Sequence, residues 1–160
     1  MAIDFFYLEQ ARFNMTAALE MRDLAHRLLT YEAAVGKIAE PSESATLRVY
    51  EKLRQGLIEF AGVSGFQSLA SRALTIARTE APSLSAARVA ADGTLQGLGE
   101  FEHTMDIDTD QAGEVGIILI ARLLCLLRIF LGEPLTLCLL RVTWPREALE
   151  DCNSENGRTT

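Results

Sequence analysis

Residues 115–144 read VGIILIARLLCLLRIFL, then GEP, then LTLCLLRVTW, and no other segment carries so much continuous apolar surface. The first arm, Val115–Leu131, is apolar on every side except at Arg122 and Arg128. A helix of that kind lies inside a protein or inside a membrane. A bilayer span needs roughly 20 apolar residues, and a charge near its centre costs about 2.5–3.5 kcal/mol on insertion scales. The arm is shorter than that and holds two arginines, so a core helix is the better reading. It is also too long for a buried strand. Gly132 suits the residue after a helix, Pro134 suits the first turn of the next, and Glu133 suits that helix's positive end. The segment therefore predicts two antiparallel helices joined by a tight turn, the second stopping at Trp144 before Pro145.

Outward from this hairpin the chain reads as helix after helix. Residues 5–35 predict one long helix, with Ala17, Met21, Leu24, Leu28, Tyr31 and Val35 as a seam at alternating steps of four and three. Ser42 or Ser44 opens a helix to about Ala61, with Val49, Leu53, Leu57 and Phe60 inward and Arg48, Lys52, Gln55 and Glu59 on a solvated side. Gly62 ends it. Ser64 with Gln67 is a capping-box pattern opening another helix to about Thr79, whose inner face is rich in small residues. Asp92-Gly93, between short apolar runs, predicts a type I′ β-hairpin that must lean on the helices. The expected fold is an all-α multi-helix bundle around the C-terminal helical hairpin, with a small β-hairpin near residues 88–97. Residues 1–145 form a single helical domain, and 146–160 a flexible polar tail.

Composition narrows the functions. The chain has 160 residues, 49% of them apolar, and a net charge of −7. An acidic chain without a basic cluster is a poor nucleic-acid binder. Cys125, Cys138 and Cys152 show no metal-ligand spacing and read as free thiols, the first two buried, in a reducing cytoplasm. A Cys125–Cys138 bridge is the minor alternative. The N-terminus, MAIDFFYLEQ, has an aromatic cluster, acids at Asp4 and Glu9 and no basic leader, so it is not expected to be an export signal.

Searches for chemistry return little. Asp106, Asp108 and Asp110 imitate the start of a calcium loop. Gln111, however, replaces the required glycine and Ile117 the bidentate glutamate, so Asp108 or Asp110 capping the central helix is the simpler reading. His26 and His103 have no partners for a zinc site. There is no nucleophile elbow, phosphate loop or dinucleotide loop. No cofactor, metal or catalytic residue is predicted, and the chain is read as a non-enzyme.

The strings LLRIFLGEPLTLCLLRVTWP and RLLTYEAAVGK resemble a group of small uncharacterised bacterial proteins of mainly helical type, over about His26 to Trp144. The resemblance implies bacterial origin and transfers no functional residue. The expected function is a non-catalytic interaction module, a self-associating subunit or regulator with a protein partner. The interaction candidates are Phe5, Phe6, Tyr7, Arg122, Arg128, Arg141 and Trp144. The arginines either snorkel to water at the edge or pair with carboxylates elsewhere. Two other readings are insertion of the 115–144 hairpin into a membrane, and a small ligand-binding domain or enzyme using the acidic connection 98–114 and an arginine such as Arg88 or Arg122.

Overall fold

The computed structural model describes residues 19–35, 44–97 and 109–149. Helix α1 covers 19–35, α2 Ala45–Glu80, α3 Thr109–Leu131, α4 Glu133–Thr143 and α5 Arg146–Leu149. A 3₁₀ turn at Pro82–Ala86 and two strands, β1 (Arg88–Val89) and β2 (Leu95–Gln96), lie between α2 and α3. The fold is the expected all-α bundle with one small antiparallel β-hairpin.

Helix α3 is the hub. Among its buried residues, Gly116, Leu119, Ile120, Leu123, Leu124 and Leu127 recur at steps of three and four, so they form one stripe. Helix α2 packs along this stripe more extensively than α4 does. From α2 come Val49, Leu53 and Leu57, then Phe66, Ala70, Ala73 and Ala77. The small residues let the helix axes approach, as does Gly116. A Cβ there would meet Thr46 Oγ1 of α2, with Leu29 of α1 also in contact. The arm is the expected core helix along this stripe, but it is not covered all round. Ile129 and Phe130, at its C-terminal end, stand out in solvent.

The two predicted helices meet end to end at a kink in α2, where Gly62 stops the first of them as expected. Helix α2 runs through the Ser64 capping-box site and only Gly62 is non-helical, at φ 76° and ψ 171°. The chain bends there and resumes helix at once. Ser44 is the N-cap, accepting the Leu47 amide at 3.2 Å. Gly132 adopts nearly the same conformation between α3 and α4, φ 85° and ψ 161°. Side-chain-bearing residues avoid this region, so a single glycine makes the corner. Its N–H bonds Arg128 O at 2.9 Å and its carbonyl accepts Thr136 N at 3.1 Å. Thr136 Oγ1, buried, also reaches back to Leu127 O at 3.2 Å. Helix α4 ends at Thr143 with Trp144 extended before Pro145, as expected.

The β-hairpin pairs Arg88 with Gln96 and Val89 with Leu95. Its turn differs from the expected type I′, because Asp92 does not have positive φ and only Gly93 does. Gly93 N–H bonds Ala90 O at 2.9 Å, and Ala90 N–H bonds Thr94 O at 2.8 Å. This is a three-residue loop with glycine at the left-handed position. Asp92 accepts from the Thr94 amide and hydroxyl instead, which holds its carboxyl below the ordinary range. Tyr50 and Arg54 of α2 clamp the turn through Gly93 O and Asp92 O, at 2.6 and 3.1 Å.

The first residues of the segment read as a polar tail, Arg146–Leu149, form the short helix α5. Ala148 is buried, and Leu149 O accepts from Arg27 of α1. Residues 150–160 lie outside the described residues.

Candidate functional site

Helix α4 has two free flanks on either side of a buried face. Thr136, Leu139 and Leu140 point into the protein. Gly56 of α2 lacks the Cβ that Leu139 would strike, so this face sits close. At 100° per residue, Leu135, Cys138 and Val142 fall along one flank. All three are exposed, Val142 at 82%. Ile129, at 80%, and Phe130 stand at the Gly132 corner that leads into the same helix. Cys138 was expected to be buried and is instead on the surface. Cys125 and Cys138 are both free thiols. Cys125 is half-buried, and burial pushes its thiol above the ordinary range.

The other flank of α4 carries Leu137, Arg141 and the approach to Trp144. These line a cleft of ≈ 720 Å³ shared with α1 and α5. The arginine candidates divide around it. Arg122 does not snorkel; it makes a two-pronged ion pair with Glu80, its Nε 2.8 Å from Oε2. The bond from Arg122 draws the Glu80 carboxyl down and raises the guanidinium. Arg128 lies between Glu20 and Glu133, at 3.5 and 3.2 Å. Arg141 is exposed on the cleft rim. Arg88 is exposed on β1.

Trp144 is placed inward, 2% exposed. Its indole N–H donates to Glu32 Oε1 at 2.9 Å. Glu32 is itself 1% exposed, and Lys52 ion-pairs with the same oxygen. The Lys52 ammonium also lies 5.8 Å from the Trp144 ring centroid. Arg48 completes the group by donating to Glu32 O at 3.3 Å. Sequence reading put Lys52 and Arg48 on a solvated side and passed over Glu32. The missed signal is the α1 seam. Its buried residues are Met21, Leu24, Ala25, Leu28, Leu29 and Glu32, while Val35 is exposed. A straight helix drifts about 20° per heptad from a strict 3.5 repeat. The seam therefore passes from Leu28 to Glu32 rather than through Tyr31 to Val35.

Tyr50 is a second buried polar group. Its ring meets Phe66 edge-on at 5.5 Å, and its hydroxyl donates to Gly93 O. Burial, the largest cause, raises its pKa well above the ordinary 10.0, with a smaller push from Glu51. A raised acid pKa means that the unfolded chain loses its proton first. Stability from this group is complete below pH 10.0 and falls as pH rises through that value. Tyr50→Phe should cost about 1 kcal/mol near neutrality. Chemical denaturation across pH should show the gap to wild type closing above pH 10.0.

Several expectations fall on residues outside the described ones: Phe5, Phe6 and Tyr7, the Asp106–Asp108 string, His103 and Cys152. His26 is exposed on α1. Among the described residues no group of acids, cysteines and histidines could hold a metal ion, and no helix is long and apolar enough to cross a membrane. No protein-family model, curated protein or solved structure matches the chain.

Proposed function

We propose that the protein is a non-catalytic helical interaction module that associates with further copies of itself, as a subunit or regulator of a bacterial cytoplasmic complex. One observation carries this reading: Ile129, Phe130, Leu135 and Val142 are all exposed on one corner and one flank of the most apolar segment in the chain. Scattered single apolar residues on a surface are ordinary, whereas a run along one helix marks a docking face. A two-fold pairing would set one such flank against its own copy, so that each residue is used twice. The surface that favoured membrane insertion is otherwise spent on protein, since Leu119, Ile120, Leu123, Leu124 and Leu127 are buried in the bundle.

Light scattering after gel filtration tests it. The mass should be a multiple of the 17.6 kDa chain, and Val142→Asp should return it to a single chain. A mass of 17.6 kDa for the wild type at every concentration contradicts the proposal.

A further inference from the structure

We infer that the cleft between α1, α4 and α5 binds an amphipathic monocarboxylate, an aliphatic chain ending in a carboxylate, and that Arg141 receives the anion. The cleft is separate from the docking flank and does not depend on self-association. Its volume, ≈ 720 Å³, lies within the ordinary range for small-molecule sites. Met21, Leu24, Leu137, Leu140, Trp144 and Leu149 line it with aliphatic groups and one indole. The apolar lining calls for an apolar body.

The charges at the rim give the ligand's sign. Five charged residues line the cleft: Glu20, Glu133, Arg27, Arg141 and Arg146. Glu20 and Glu133 share the single cation Arg128, so the three together leave one net negative charge against the positive charges of Arg27, Arg141 and Arg146. Arg27 is pinned by Asp23 at 3.6 Å and by Leu149 O, yet its Nε is buried with no hydrogen-bond partner. Arg146 is already engaged. Arg141 is exposed and has no ion pair among the described residues. A chain of net charge −7 thus presents, at an apolar cleft, one exposed guanidinium with no ion pair among the described residues. A guanidinium fork matches a carboxylate with two parallel bonds. A cationic amphiphile would be repelled by Arg141.

Trp144 is the only tryptophan in the chain and stands in the cleft wall, 2% exposed, so its fluorescence reports a heavy atom seated in the cleft beside it. The probe is undecanoate brominated at its far end, kept below its micelle threshold. A bromine close to an indole quenches it without the ring being open to solvent. Saturable quenching is expected for the acid. The brominated alcohol of the same length, and the acid with Arg141→Glu, should each bind at least about tenfold more weakly. Because Arg141 is a surface residue, its reversal should leave the helical circular dichroism unchanged. Absence of saturable quenching by the acid overturns the inference. So does equal quenching by acid and alcohol. Acid binding that Arg141→Glu leaves intact removes Arg141 as the anion's receiver, and the assignment fails with it.

Discussion

Leu124→Ala should destabilise the protein by about 2–5 kcal/mol, whereas Ile129→Ala, on the same helix, should change it by less than about 0.5 kcal/mol. Leu124 is fully buried at the centre of the α3 stripe, and the truncation leaves a cavity that helices on both sides cannot close without shifting. Ile129 is 80% exposed and gives up almost no buried area. Urea titrations of the two variants decide the matter. Equal losses would mean that α3 is covered all the way round. The free corner on which the docking surface rests would then not exist.

The second large effect belongs to the Glu32 cluster. Lys52→Met removes the cation from a carboxylate that has almost no access to water. Breaking a fully buried pair costs about 3–5 kcal/mol, but the Lys52 side chain is 40% exposed and the Trp144 indole still donates to Glu32. About 2–3 kcal/mol is therefore expected, after discounting for solvent screening. The double variant Glu32→Leu with Lys52→Met should recover part of that loss, because it removes the stranded charge together with its partner. If the double variant is less stable than Lys52→Met by the full cost of Glu32→Leu alone, the two residues act independently and the cluster is not a coupled pair. Three elements meet at this cluster: α1 through Glu32, α2 through Lys52, and the end of α4 through Trp144. A polar contact so placed fixes which face of α1 turns inward.

The sequence made the architecture legible where signals were local. Gly132, Glu133 and Pro134 placed the α3–α4 corner, and Pro145 placed its end, because glycine and proline constrain φ whatever surrounds them. Gly62 was read as a stop, and it does stop the first segment of α2, but the next segment opens at once rather than at Ser64. A glycine in that conformation interrupts one residue, and whether helix resumes depends on what Phe66 and Leu74 pack against. The type I′ reading failed for a similar reason. Asp-Gly permits that turn, but the clamp from Tyr50 and Arg54 accompanies a longer loop. Burial was harder still. An all-apolar arm cannot say which of its sides is left over, and Ile129 and Leu124 look alike in sequence. Lys52 and Glu32, each charged, find one another only when the twist of α1 and the path of α2 are both known. Arg122 and Glu80 are far apart in the chain and give no pattern to read. At the cleft, Arg141 and Trp144 could be singled out as unusual, but only the approach of α1 and α5 makes a cavity of them.

The most direct test of a docking face on α4 is the reactivity of Cys138, which sits between Leu135 and Val142 on that flank. With Cys152 replaced by serine, alkylation of Cys138 can be followed by mass spectrometry as protein concentration rises; the Cys125 thiol, half-buried and raised in pKa, should react slowly. Self-association through this flank predicts fast labelling in dilute protein and strong protection in concentrated protein, with Val142→Asp abolishing the protection. Equal labelling rates at every concentration, in wild type and variant alike, would contradict it.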